Sequence, residues 1–401
     1  MSQLFPFRAL RPAPAVASRV ASVPYDVVTT DEARALAARE PLSFLRVTRS
    51  EVDLPGGTNP YSDAVYARAA RNFDDLRRAA PMVIDDEPSL YFYRLTMGAH
   101  VQIGLAGCFS VDEYDRGLVK KHEKTRQDKE DDRTRHITEL HAQTGVVFLT
   151  YRRAAAVDAA AARVVTGAPL YSFVAADAIS HELWRVTGAD VDALVRAFAA
   201  LPALYIADGH HRAASASRAN AALHGAGESA SFIAVAFPDT EMQILPYNRV
   251  VKDLAGQTPA GFLSALKARV DVAPGAPVPA RAGLVSMYLG GAWHQLTLPA
   301  PSPGTPRDEA LDVAVLQSQV LAPVLKVGDP RSDTRIDFVG GARGTATLEK
   351  LVDAGTAAVA FSLAPTTIDD LIAIADAGGI MPPKSTWFEP KLRDGLLVHL
   401  I

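Results

Sequence analysis

Apolar and polar positions alternate with a period near two over residues 90–96 and 101–111, which predicts a hairpin joined through Gly98. Continuous apolar runs at 146–151, 171–175, 183–186 and 231–237 predict further strands. Residues 242–251 read as a strand paired with 231–237 around Pro238-Asp239, and residues 42–47 as a short strand. Apolar residues spaced by three and four predict helices over 30–39, capped by Thr29 or Thr30, and over 62–79, 154–165 and 190–199. The charge-dense stretch 128–135 reads as a solvated helix face laced with salt bridges. Strands and helices together give an α/β chain with a mixed sheet.

The chain is organised around residues 203–212. A short apolar strand runs to Ala207, then come Asp208, Gly209, His210, His211 and Arg212, and a helix follows through 213–223. A strand-to-helix junction carrying five such residues points to a working site, since function sits on loops held by a rigid scaffold. Gly209 lets the backbone turn sharply and approach a ligand closely. The helix start offers N–H groups and the positive end of its dipole to an anion. Arg212 suits phosphate or carboxylate, Asp208 can take a proton or a metal ion, and the histidines can shuttle protons. Two other stretches carry candidate chemistry. Pro24-Tyr25-Asp26 is a rigid turn presenting a phenol and a carboxylate, and His122-Glu123-Lys124-Thr125 directly follows an apolar strand.

Beyond residue 255 the character changes. A helix is predicted from 259 to 270, a hairpin at 284–298 and a helix over 308–325, separated by loops rich in proline and glycine. This reads as a lateral lobe at 256–331, inserted into a main domain of 1–255 to which 332–401 returns. In the returning part, residues 336–344 read as strand, glycine turn and helix start, a weak phosphate-loop signal. Residues 357–363 read as a buried strand, 367–376 as a helix and 396–401 as a closing strand. Lys384-Ser385-Thr386 follows Met381-Pro382-Pro383. It fails as a Walker A loop, because Pro383 lacks the N–H that loop would offer and the segment follows a helix. Arg249, at the end of Ile244-Leu245-Pro246-Tyr247-Asn248-Arg249, is a candidate second cation.

Composition narrows the classes. The chain has 401 residues, 48% of them apolar and 21% charged, which is ordinary for globular proteins. A net charge of −4 argues against a general nucleic-acid or membrane-surface binder. Cys108 is the one cysteine and lies in an apolar run, so it reads as core and leaves no disulfide. The first residues lack a signal-peptide pattern and no apolar run is long enough to span a bilayer, so the expected location is cytoplasmic.

Pro6-Phe7-Arg8-Ala9-Leu10-Arg11-Pro12, Pro24-Tyr25-Asp26-Val27, His122-Glu123-Lys124-Thr125, Asp208-Gly209-His210-His211-Arg212 and Met381-Pro382-Pro383-Lys384-Ser385-Thr386 occur in this order. In this they resemble the DUF1015 family over nearly the whole chain. Where relatives tend to show Leu-Pro-Thr-His-Arg, this chain has Leu245-Pro246-Tyr247-Asn248-Arg249, so any histidine role there is lost or altered. The Asp208–Arg212 box is also similar to the phosphate-binding box of the ParB/sulfiredoxin superfamily, and most to its free-serine-kinase branch. That likeness implies a ParB/sulfiredoxin-like core with large elaborations, nucleotide phosphates at the helix start, and Mg²⁺ nearby.

The resulting expectation is a small-molecule phosphotransferase that moves a phosphoryl group from ATP or ADP to a free hydroxyl amino acid such as L-serine. Asp26, Glu123, Asp208 and His210 are the catalytic candidates. Lys124, Thr125, Gly209, His211, Arg212, Arg249, Lys384, Ser385 and Thr386 are the phosphate candidates. Tyr25 and His122 would touch substrate, and Asp208 would assist Mg²⁺. The partners expected are the nucleotide and a small-molecule acceptor, with homodimerisation left open and neither nucleic acid nor membrane favoured. The alternatives are a ParB-like nucleotide-gated DNA-binding protein and a metal-dependent hydrolase using His122, His210 and His211. Adjacent histidines on one helix point about 100° apart, which counts against the hydrolase.

Overall fold

A computed structural model describes residues 2–401. The chain forms two compact units, Met1–Met242 with Pro390–Ile401, and Gln243–Glu389. Residues 332–389 thus group with the lateral lobe and not with the main domain. The reason lies in strand pairing. Ile336–Gly340 and Val359–Leu363 flank Tyr247–Val251 on either side, so all three close one sheet.

The first unit is built on a nine-stranded mixed sheet. Its strands are β1 (Leu4–Phe5), β2 (Leu90–Met97), β3 (His100–Ser110), β4 (Val119–Lys120), β5 (Val147–Tyr151), β6 (Tyr171–Val174), β7 (Ser180–Val186), β8 (Leu204–Asp208) and β9 (Ser231–Pro238). They lie in the order β4-β8-β5-β9-β3-β2-β7-β6, with β1 on β3. The β4–β8 and β5–β9 pairs are parallel and the others antiparallel. β5 and β9 are buried along their whole length, as strands covered on both faces must be. The hairpin of β2 and β3 forms as its alternation predicts, and Cys108 is buried within it.

The helices of this unit include α1 (Asp63–Ala79), α2 (Gln127–Leu140), α3 (Ala155–Val164), α4 (Ala189–Ala199) and α5 (His210–Ala222). A core of Phe109, Phe198, Phe232, Leu149, Ile206 and Ala213 joins the sheet to α4 and α5. The charged run is α2, with Asp132 and His136 on its buried face. Residues 42–47 do not form a strand. Leu45–Thr48 is one helical turn, its backbone N–H groups bonded three and four residues back.

The second unit holds a six-stranded antiparallel sheet. Tyr247–Val251 pairs within it and not with β9, and the expected 242–251 strand is interrupted at Met242–Gln243 and at Pro246. The helix expected at 308–325 is short, running Asp312–Leu316 and then one wider turn at Gln317–Leu321. Gly340 is glycine for a packing reason: a Cβ there would lie 2.7 Å from the Trp387 ring. The glycine turn at 340–344 therefore has a structural explanation that needs no phosphate.

Candidate functional site

β8 reaches its end through an irregularity. Its register against β5 shifts between Ile206 and Asp208, so Ala207 is an extra residue. Such a bulge bends the strand end and re-aims the side chain that follows. Gly209 then adopts φ +93°, which only glycine reaches without strain, and becomes the N-cap of α5. No side chain caps this helix start. Its leading N–H groups and dipole therefore face whatever the neighbouring loops bring.

Asp208 is committed on both oxygens. One accepts the Gly209 N–H at 2.8 Å and the other accepts from Lys391 Nζ at 2.9 Å. Burial works to raise its pKa, but Lys391 and Arg212 outweigh that and hold the carboxyl well below the usual range.

Arg212 points from α5 back across the turn. Nη1 donates to the Val146 carbonyl at 2.8 Å, and Nη2 donates to both oxygens of Asp26 at 2.8 and 2.9 Å. The guanidinium is buried, while the Asp26 side chain keeps 37% exposure. Tyr25 is buried beneath, with Arg133 and Arg212 lying 4.4 and 5.6 Å from its ring centroid. Burial, then the charge of Asp26, pushes the phenol pKa up, so Tyr25 stays protonated.

The two histidines of the box fasten the neighbouring loop. His210 Nε2 accepts the His122 N–H at 3.4 Å, and His211 Nε2 accepts the Arg126 N–H at 3.0 Å. An imidazole that accepts on Nε2 is neutral with its proton on Nδ1. Burial agrees with this. It pulls His122 down to about 4 and, with His122 adding to it, holds His210 well below its ordinary value. The two rings meet edge to face at 4.4 Å, and His210 Nδ1 lies 3.9 Å from Glu123. The ring nitrogens expected for proton shuttling at His210 and phosphate binding at His211 are thus engaged with the loop. Thr125 donates its hydroxyl to Glu130, while Lys124 is exposed on the loop.

In the second unit, Arg249 is buried and gathers the Lys384 turn. Its Nη1 donates to the Tyr247 carbonyl, and its Nη2 to the Pro383 carbonyl at 3.3 Å. Lys384 is exposed with φ +59°, and its ammonium lies 5.4 Å from the Tyr247 ring centroid. Ser385 is buried and donates to Pro382 at 2.6 Å, so its hydroxyl shapes the turn; Thr386 beside it is half-buried.

Comparison with known proteins adds the following. No curated protein matches the sequence. A family described as a protein of unknown function, DUF1015, matches residues 4–318. The chain belongs to DUF1015. Among solved structures, SbnI with a C-terminal truncation from Staphylococcus aureus is 13% identical and covers 74% of this chain and 87% of its own, with a TM-score of 0.40. A conserved hypothetical protein from Pyrococcus furiosus is 14% identical, covering 74% and 95%, with a TM-score of 0.36. A free serine kinase in complex with AMP is 13% identical, covering 74% and 92%, with a TM-score of 0.37. At such scores nothing about activity follows, and the chemistry has to be read from the residues.

Among the described residues, no group of three or more His, Cys, Asp or Glu is placed to hold an ion. Asp208, expected to assist Mg²⁺, accepts one hydrogen bond on each oxygen, from the Gly209 N–H and from Lys391. Of the three histidines named for a hydrolase, His122 and His210 meet ring to ring, while His211 Nε2 is held by the Arg126 N–H. Among the described residues, no helix is long and apolar enough to cross a membrane.

Two buried residues of the site escaped sequence reading. Lys391 holds Asp208, and Asp394, pushed up to about 7 by burial against the pull of Arg212, faces the Asp26–Arg212 pair. Both lie in an irregular buried segment whose short sequence, Pro390 to Asp394, has no periodicity to mark it.

Proposed function

We propose that the first unit is a nucleotide-dependent phosphotransferase acting on a small hydroxyl compound, with Asp26 as the base. The observation that carries this reading is the Asp26–Arg212 pair. A carboxylate is held on both oxygens by one buried guanidinium nitrogen, at an uncapped helix start, and stays open to solvent. Phosphoryl transfer asks for little else from a protein than such positioning and positive potential.

In the reaction, the acceptor oxygen attacks the terminal phosphorus of the donor while its proton passes to Asp26. The bond from that phosphorus to the bridging oxygen breaks, and the shortened nucleotide leaves with the electron pair. Asp26 then releases the proton to water. The backbone N–H groups at the start of α5 and exposed Lys124 face the incoming charge. His210 and His211 act as positioning residues, because they tie the loop of Glu123 and Lys124 to the helix.

A free hydroxyl amino acid such as L-serine is the leading acceptor, on the likeness of the Asp208–Arg212 box to the free-serine-kinase branch. The test incubates the protein with ATP or ADP, Mg²⁺ and a panel of hydroxyl amino acids, and follows phosphorus by NMR. A phosphate monoester should form and be absent with Asp26→Asn. No ester with any member of the panel would refute the amino-acid assignment.

A further inference from the structure

Three carboxyls face one guanidinium in the first unit. Asp26, Asp208 and Asp394 all act on the charge of Arg212. Asp208 has a second cation in Lys391 at 2.9 Å, and Asp26 has both oxygens on Arg212 Nη2. Asp394 is placed differently. It is 1% exposed, and neither of its oxygens accepts a well-formed hydrogen bond among the described residues, although the Val146 N–H faces it. Its backbone is fixed. The Asp394 N–H donates to the Ser22 carbonyl at 2.9 Å, and the Ser22 N–H donates back at 3.1 Å. The residue is thus held at the segment that leads into the Tyr25-Asp26 turn.

Charge does not balance in this group when every member is ionised. Arg212 and Lys391 set two positive charges against three carboxylates, and Arg133, a further cation acting on Asp394, is already joined to Asp132. The group is neutral when one carboxyl keeps a proton, and low polarity favours that state. The carboxyl to keep it is the one with least to stabilise its charge. Asp26 is open to solvent and doubly bonded, and Asp208 accepts on both oxygens, which leaves Asp394. Burial, with the charge of Asp26 behind it, lifts Asp394 to about 7 against the pull of Arg212, the Val146 N–H and Arg133. Tyr93 also senses Asp394, but burial keeps its phenol protonated and it adds no charge.

We infer that Asp394 is a positioning residue that works through Arg212, leaving the guanidinium to Asp26 and keeping the group beside the first turn of α5 from turning net negative. This rests on the phosphotransferase reading of the same site. When Asp394 loses its proton, a third carboxylate faces the two cations and opposes an anionic donor at the helix start. Nucleotide binding is therefore strongest on the acid side of neutrality and weakens above it.

The test is equilibrium binding of ADP with Mg²⁺ to the full chain, by calorimetry, from about pH 6 to about pH 8.5. Asp394→Asn keeps the shape of the neutral acid and cannot ionise. Relative to it, the parent should lose about tenfold in affinity across that range, the gap opening around pH 7. The phosphates of ADP titrate with both proteins and cancel in the comparison. Carbon-13 NMR of the parent labelled in aspartate gives a second reading that needs no variant: one carboxyl should titrate near pH 7, above the ordinary aspartate range. A purely structural Asp394 would leave the two affinity profiles parallel. Parallel profiles, or no aspartate carboxyl titrating above the ordinary range, would each overturn the inference. No ADP binding at any pH would remove both the inference and the reading beneath it. Binding with the expected pH dependence but no phosphoryl transfer to any hydroxyl compound would count against that reading alone and uphold the role of Asp394 in binding.

Discussion

Arg212 Nη2 lies 2.8 and 2.9 Å from the two oxygens of Asp26, although 186 positions separate them in the chain. The pair fixes an exposed carboxylate to a buried cation. Removing either partner should therefore have different effects. Asp26→Asn keeps a carbonyl acceptor for Arg212 and should change stability little, while phosphoryl transfer falls by about 10²–10⁴-fold, the range for a lost general base. Arg212→Met leaves Asp208 and Asp26 without their shared cation and should cost about 3–5 kcal/mol of stability. Urea denaturation alongside the transfer assay separates the two.

Gly209→Ala is expected to destabilise by roughly 1–2 kcal/mol, the cost of a left-handed backbone for an L-residue. The added Cβ would also lie 3.3 Å from Arg212 Cδ and 3.4 Å from Val147 Cα, tight contacts on both sides of the turn. Gly209→Asn should cost less for the backbone. Denaturant midpoints at unchanged slope would measure both.

Acid should unfold the protein through its histidines. Burial lowers His122 and His399 to about 4 and His136 and His181 to about 3, with His210 also well below its ordinary value. Each is neutral when folded and protonated when unfolded below about pH 6.5. The unfolded state then binds more protons, so stability falls as pH drops from 6.5 towards 4. Asp394 opposes this. Its carboxyl is raised to about 7, so its contribution is full below the unfolded carboxylate value and is lost as pH rises through 7. Each such group changes stability by at most about 1.4 kcal/mol per pH unit, and five outweigh one. Thermal midpoints should thus decline steadily between pH 6.5 and 4. In Asp394→Asn the decline should be steeper, because the opposing carboxyl is gone.

The loop staple offers a narrower check. His211→Ala removes the acceptor for the Arg126 N–H and should raise KM for nucleotide more than it lowers kcat, with a stability loss of about 1 kcal/mol. His211→Gln, which can still accept, should restore most of the affinity. A loss confined to kcat would instead place the imidazole in the chemistry.

Much of this architecture was legible in the chain. The strand, turn and helix at 204–222 and the hairpin of β2 and β3 follow from periodicity and turn residues, which act locally. The candidate residues were legible by type but less so by task. Nothing local says that Arg212 spends its fork on Asp26 and Val146, or that His210 and His211 accept backbone N–H groups from the 122–126 loop. Such roles depend on partners brought together by the sheet order. The pairing of 247–251 depends on partners in the same way, since its apolar pattern marks a strand but not that Ile336–Gly340 and Val359–Leu363 flank it. Lys391 and Asp394 gave no signal, because buried charges in irregular backbone carry no period.

The first unit leaves at Met242 and is rejoined only from Pro390, so Lys391 is synthesised 183 residues after the Asp208 it neutralises. At about 5–20 residues per second, the ribosome takes roughly 10–40 s to cover that interval. During it a nascent chain can finish the whole second unit while the first still lacks the cation that completes its strand end. A chain that stops before Pro390 therefore leaves the Asp208 carboxylate at the strand end without the Lys391 ammonium that neutralises it.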